Sequence, residues 1–334
     1  MSPEAAAIPP KPMSAAAPSG WRRIRRWLAP LFAVTVLALL LFHAHKVDWS
    51  GAWTALHRYS PLLLLEALGL ALASHAIYGC YDLVGRRHTH HGLARWRTWA
   101  IAITSYAVNL NLGALIGSVG LRTRLYARAG LDETTIAQVV TLSLATNWLG
   151  YALVAGSLFA SGTIKPPGEA HLGMDAFRAL GVLMIFIAIG YVVACALSHG
   201  REWHCRGRTL KPPSGALALR QLALSSCHWL VTGATMYLLL GQQVPYATTL
   251  AVLMTASIAG VITPIPAGLG VLEAVYLALL SGSVRQSTLM GAVLAYRALY
   301  YLVPLAGGLL LYIFLEHQAK TAATAGDLRR NESR

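Results

Sequence analysis

Ile262-Thr-Pro-Ile-Pro-Ala-Gly-Leu-Gly-Val-Leu-Glu273 interrupts an apolar stretch with the residues a helix tolerates least. Pro264 and Pro266 each lack an amide donor, and Gly268 and Gly270 relax the backbone before the next apolar run. In hydrocarbon, backbone freed in this way must find partners inside the protein or beside a watery cavity. The stretch ends in a carboxylate, Glu273, where a charge is costly. A short external loop between two ordinary spans would also hold prolines and glycines. The coincidence of broken backbone and charge favours a re-entrant hairpin lining a substrate path.

Working outward, the 334 residues are 56% hydrophobic and only 12% charged, with a mean hydropathy of +0.53. Several apolar runs reach the roughly 20 residues that cross a bilayer. The expected fold class is therefore an all-α polytopic membrane protein. A net charge of +14 is large for so few charged residues. Its lysines and arginines collect in short segments between apolar runs, which points to topology and anionic headgroups and away from nucleic acid. Cys80, Cys195, Cys205 and Cys227 have no paired spacing, so no disulfide framework is implied.

Residues 1–20, rich in Ala, Pro and Ser, read as a disordered cytoplasmic tail. Four arginines in Trp21-Arg-Arg-Ile-Arg-Arg-Trp27 precede the apolar run Leu28 to Phe42, expected to be an uncleaved first span with its N-terminus inside. A second span, about Pro61 to Val84, leads to Arg86, Arg87, Arg95 and Arg97, a second cytoplasmic cluster. If the next run, Thr98 to Val119, crossed fully, Arg122, Arg124 and Arg128 would lie outside. The conflict vanishes if the run enters from the cytoplasm, breaks near Asn109-Leu-Asn-Leu-Gly113 and returns. Gly113, Gly117 and Gly120 permit the turn, and the Asn amides can meet freed backbone groups.

Further spans are expected at about Glu133 to Ala160, Ala176 to Ser198, Ser214 to Leu240 and Ser287 to Leu315, with a third basic loop at Arg201, Arg206, Arg208 and Lys211. If the C-terminus is cytoplasmic, Ala247 to Leu280 must enter and leave on the outer side. The expectation is about six full spans plus two re-entrant helical hairpins in an inverted-repeat arrangement, both termini cytoplasmic. A membrane domain would cover residues 21–318, in halves of about 21–170 and 171–318, with a disordered tail over 319–334. Inverted repeats with broken helices meeting near the midplane are a common transporter build. Arg297, inside the final span, is expected to face the interior, with Glu273 as its structural partner.

The segment Asn109-Leu-Asn-Leu-Gly-Ala-Leu-Ile-Gly-Ser-Val-Gly-Leu-Arg-Thr-Arg-Leu-Tyr-Ala-Arg-Ala-Gly130, together with Pro264 to Glu273, resembles the transmembrane flippase domain of bacterial lysylphosphatidylglycerol synthase/flippase proteins and its stand-alone relatives. The likeness covers nearly all of the chain after residue 20. Ser118-Val119-Gly120 stands where the family often has paired glycines, and Ala267 where a second glycine is common. The resemblance implies a multi-pass protein of the bacterial cytoplasmic (inner) membrane that moves anionic or aminoacylated phospholipids between leaflets. About twenty residues follow the last span, so the family's separate aminoacyl-transfer domain is not expected.

Physics and resemblance together suggest a lateral polar groove. Arg122, Arg124 and Arg297 are candidate phosphate ligands as bidentate donors. Asn109, Asn111 and Tyr126 are candidates to complete the shell, and Glu273 to pair with an arginine when the site is empty or with a lipid amine when it is filled. No cofactor is expected, and the sequence carries no nucleotide-binding Gly-rich lysine loop. His88-Thr-His-His91 reads more readily as a solvated loop than as a metal site. Beyond membrane lipid, partners in view are a second copy of the chain or a lipid-synthesis enzyme. A competing class is a membrane enzyme acting on a lipid-linked substrate with Glu273 or Asp82 as base, and a third is a non-transporting scaffold.

Overall fold

Ser60 starts the first described helix, its hydroxyl accepting from Leu63 N while Pro61 occupies the first turn. The computed structural model describes residues 54, 57, 59–163, 173–198, 203–205, 208–210, 212–263 and 268–332. The N-terminal tail, the first expected span, Lys165–Gly168, Arg201, Arg206, Lys211, Pro264 and Pro266 lie outside them. From Ser60 the chain runs through α1 (Pro61–Thr89) and α2 (Arg95–Leu112), then a π-helical segment (Leu115–Leu121) that passes into α3 (Arg122–Arg128). Next come α4 (Glu133–Ala160) and α5 (Met174–Leu197), the short strands β1 (Trp203–Cys205) and β2 (Arg208–Leu210), and α6 (Gly215–Leu239). Helices α7 (Tyr246–Ile262) and α8 (Val271–Leu280) precede α9 (Gln286–Tyr296), a second π-helical segment (Arg297–Leu302) and α10 (Val303–Glu332).

Five helical stretches are long and apolar enough to cross a membrane: α1, α4, α5, α6 and the continuous run Gln286–Gln318. Helices α7 and α8, at 17 and 10 residues, are apolar but short. The fold is thus an all-helical, multi-pass membrane architecture, with a two-stranded antiparallel hairpin pairing Trp203 with Leu210 as its one departure among the described residues. The expected spans that fall within the described residues start within about two residues of these helices, and α4 starts at Glu133 as expected. Asp132 sets that start by accepting from Thr135 N and Oγ1 at 2.9 and 2.6 Å, contacts that hold its carboxyl below the ordinary carboxylate range. Helix α10 continues through Glu332, so the residues from 319, read from the sequence as a tail, extend an alanine-containing helix.

Lipid is as apolar as leucine, so helices here associate through close packing rather than by hiding apolar surface. Phe186, Ile187 and Leu183 on α5 accordingly stay exposed. Close packing depends on small residues at the crossings. A Cβ on Gly150 would overlap Ser225 where α4 crosses α6, and one on Gly181 would overlap Ala160 where α5 crosses α4. Helices α1 and α6 run antiparallel: Tyr59 Oη donates to the Leu239 carbonyl near one end, and Ser74 meets His228 and Thr232 in the middle.

Candidate functional site: two broken helices and the segment between them

Helix α2 ends because Gly113 turns at φ +89°. The Gly113 amide still donates to the Asn109 carbonyl, and Gly117 N donates to the Gly113 carbonyl, so the chain doubles back within one turn. Gly117 then lies flat on the backbone of Asn109, where a Cβ would overlap Asn109 N and Cα. The return arm is wider than an α-helix, with Val119 N reaching the Ala114 carbonyl five residues back. The expected break near Asn109–Gly113 is therefore present, with its turn at Gly113 itself, while Gly120 sits inside the π-helical arm.

The second break follows Ile262. Thr263 closes α7 by bonding the Ala259 carbonyl with its amide and hydroxyl. Gly268 and Gly270 adopt φ +54° and +82° before α8 begins at Val271. Gly268 returns to within 3.8 Å of Gly260 Cα as a hypothetical Cβ would measure it. Glu273 occupies the first turn of α8, where the helix N-terminus favours an anion.

The second π-helical segment joins the two breaks. Arg297 binds Glu273 with both arms of its fork, Nε to Oε1 at 2.6 Å and Nη2 to Oε2 at 2.9 Å, and Nη2 also donates to the Gly268 carbonyl at 2.8 Å. Four residues on, the Tyr301 carbonyl accepts from Asn111 Nδ2 at 3.2 Å, and the same amide reaches Ala107 O at 2.9 Å. The segment thus touches the first hairpin at Tyr301 and the second at Arg297. Arg297 also lies over the Tyr301 ring, 5.7 Å from its centroid.

The remaining sequence candidates fall into two further groups. Arg122 is fully enclosed, 3.4 Å from Asp82, donating to Ser143 Oγ at 2.8 Å and stacked over Tyr78. Tyr126 donates to the other Asp82 oxygen at 2.7 Å. In this conformation Arg122 and Tyr126 fix the return arm to α1 and have no open face toward a ligand. Arg124 and Arg128 pair with Glu316 on α10 at 3.2 and 2.6 Å, which ties the same arm to the last span. Asn109 contributes its backbone to the turn. In the α1–α2 loop His91 accepts from Leu93 N, and burial together with the Arg86 charge pushes it below the ordinary imidazole range.

A buried polar cluster went unread in the sequence. Ser74 Oγ lies 3.0 Å from His228 Nδ1, 2.8 Å from Thr232 Oγ1 and 2.8 Å from Tyr300 Oη. Tyr106 Oη lies 3.3 Å from His228 Nε2 and 3.2 Å from Tyr300 Oη. A neutral His228 donating from Nδ1 to the Ser74 carbonyl and accepting at Nε2 is satisfied on both sides. The available signal was a serine, a histidine and a threonine at mid-span, where polar groups must find one another. Tyr300 belongs to the π-helical segment that carries Arg297, so this cluster backs the site.

Residues 27–308 match the family described as the lysylphosphatidylglycerol synthase TM region. The chain is 44% identical over 301 residues to the inner membrane protein YbhN of Escherichia coli K12, covering 90% of this chain and 95% of that one. It is 26% identical over 324 residues to the uncharacterized protein slr0712 of Synechocystis, covering 92% and 98% respectively. With its broken helices, five membrane-length helical stretches and a match over most of its length, the chain belongs to the lysylphosphatidylglycerol synthase transmembrane-region family and is a multi-pass protein of the bacterial inner membrane.

Proposed function

We propose that the protein moves anionic or aminoacylated phospholipids between leaflets, with the Arg297–Glu273 pair as the ligand-exchangeable element. The observation that carries this reading is the bidentate pair itself, placed where one hairpin meets the segment that also binds the other. A guanidinium fork suits phosphate as well as carboxylate, so a lipid phosphate can replace Glu273 on Arg297 without leaving the cation bare. Glu273 is then free to accept the ammonium of an aminoacylated headgroup. Because Arg297 also holds the Gly268 carbonyl, the exchange loosens the second hairpin and links occupancy to conformation. Arg122, Asp82 and Tyr126 hold the first hairpin rigid while this happens, and Asn111 keeps it against the moving segment.

The purified chain, reconstituted in vesicles carrying fluorescent phosphatidylglycerol or its lysyl form in one leaflet, should speed the loss of quencher-protected signal over empty vesicles. Glu273→Gln and Arg297→Ala should abolish that gain while inserting normally. Movement no faster than in empty vesicles, or covalent change of the lipid in a single turnover, would refute the reading.

A further inference from the structure

A second feature lies between α1 and α6, and neither Arg297 nor Glu273 is part of its lining. A groove of about 500 Å³ runs between α1 and α6, lined by Cys80, Leu83, Val84 and Arg87 on one helix and by Leu217, Arg220, Leu224 and Cys227, among others, on the other. The volume lies in the range of small-molecule sites. Its walls are apolar except at one end. Because the two helices are antiparallel, residues separated by seven positions in opposite directions come level. Arg87 lies seven residues after Cys80, and Arg220 seven before Cys227, so each guanidinium stem sits about 10 Å along the groove from its thiol.

Arg87 and Arg220 are both exposed and, among the described residues, neither has an acidic or hydrogen-bonding partner. Their neighbour Arg86 differs, since its Nε donates to the Leu93 carbonyl at 2.7 Å. Snorkelling accounts for one arginine at a span end. It does not account for two unpartnered arginines from different helices lining one groove, a placement that suits an anion held between them. The end they occupy is flanked by two basic segments, Arg86 to Arg97 and Arg201 to Lys211, which marks it by composition as the cytoplasmic, anionic-lipid side.

We propose that this groove binds an anionic glycerophospholipid, its phosphodiester clasped by Arg87 and Arg220 and an acyl chain laid toward Cys80 and Cys227. The site is separate from the Arg297–Glu273 region and stands whether or not the protein transports lipid. A bound lipid here would brace α1 against α6, the helices that carry Ser74 and His228.

The thiols supply the readout. Cys227 is exposed and Cys195 buried. In the full chain with Cys205→Ser, alkylation of Cys227 in neutral detergent is followed by peptide mass. Phosphatidylglycerol should slow it markedly, and phosphatidylcholine with the same chains much less. Arg87→Ala/Arg220→Ala should weaken the protection about tenfold or more, as loss of one charged hydrogen bond already implies. Arg95→Ala/Arg97→Ala, removing the same charge elsewhere on that side, should leave it intact. The proposal fails if phosphatidylglycerol gives the wild type no protection, or if it protects the Arg87→Ala/Arg220→Ala variant equally, since the groove would then take hydrocarbon alone. Equal protection by phosphatidylcholine or by glycerol phosphate overturns it too, the first removing the charge assignment and the second the lipid. A transport defect without change in protection, or the reverse, tells the two sites apart.

Discussion

Asn111 and Arg297 meet through the same six-residue π-helical segment: Asn111 donates to the Tyr301 carbonyl, and Arg297 is the residue that opens the segment. Each brings a different broken helix with it. The segment therefore contacts both hairpins within about one turn of backbone.

The Arg297–Glu273 pair retains some exposure, 10% and 17% for the two side chains, so its worth lies between that of surface and buried pairs. Arg297→Lys keeps the charge but loses the fork, and Glu273→Gln keeps the shape but loses the charge. Each should lower stability in detergent by about 1–2 kcal/mol. Thermal unfolding of the two single variants and the double would show a positive coupling, and simple additivity would mean that the pair does not hold the second hairpin.

Arg122 and Asp82 are both 0% exposed, and Arg122 Nε and Asp82 Oδ1 are without a hydrogen-bond partner among the described residues. Removing one partner strands the other inside, so Asp82→Ala or Arg122→Ala should each cost about 3–5 kcal/mol. Asp82→Ala/Arg122→Ala should cost much less than the sum, because no charge is left stranded. The measurement is again unfolding in detergent. A double variant as unstable as the two losses added would remove the stranded charge as the cause.

Most of this site was legible because it breaks rules: Pro264 to Gly270 and Asn109 to Gly120 stand out against apolar helices, and Glu273 and Arg297 stand out as charges. Their pairing followed from the cost of burying either alone. Other features obey no local pattern. Nothing near Arg122 in sequence marks it as Asp82's partner rather than a ligand's, because that depends on α3 returning to α1. Glu316, at a span end, carries no local sign of its pairing with Arg124 and Arg128, which depends on α10 passing the return arm. The Ser74–His228–Tyr300 contacts join residues 154 to 226 positions apart, beyond the reach of any periodicity.

A return to the same face predicts a labelling pattern. Gly92, before α2, and Thr134, after α3, flank the first hairpin, while Gln243 lies between α6 and α7. In a cysteine-free background, Gly92→Cys and Thr134→Cys should react with an impermeant maleimide from the cytoplasmic side and Gln243→Cys from the opposite side. Thr134→Cys and Gly92→Cys on opposite sides would mean that α2 to α3 crosses completely. Adding Gly117→Ala should loosen the turn by driving a methyl into Asn109, so that Ala114→Cys, at the turn, reacts faster than it does with Gly117 present.

The hydroxyl of Tyr300 lies within hydrogen-bond reach of Ser74, Thr232 and Tyr106 at once, so deleting it tests whether the polar cluster supports the bridge. Tyr300→Phe keeps the ring, which stacks on Tyr296 at 4.9 Å between centroids, and removes only the oxygen. Buried donors that lose a partner cost about 1–3 kcal/mol, although interhelical bonds in lipid often fall below that because the freed groups find substitutes. Ser74 keeps His228 as a substitute, so a loss of about 1 kcal/mol is expected, against a smaller one for Tyr296→Phe. If the cluster positions Arg297, Tyr300→Phe should also slow lipid movement more than Tyr296→Phe does at matched stability. Equal transport by the two variants would reduce the cluster to packing.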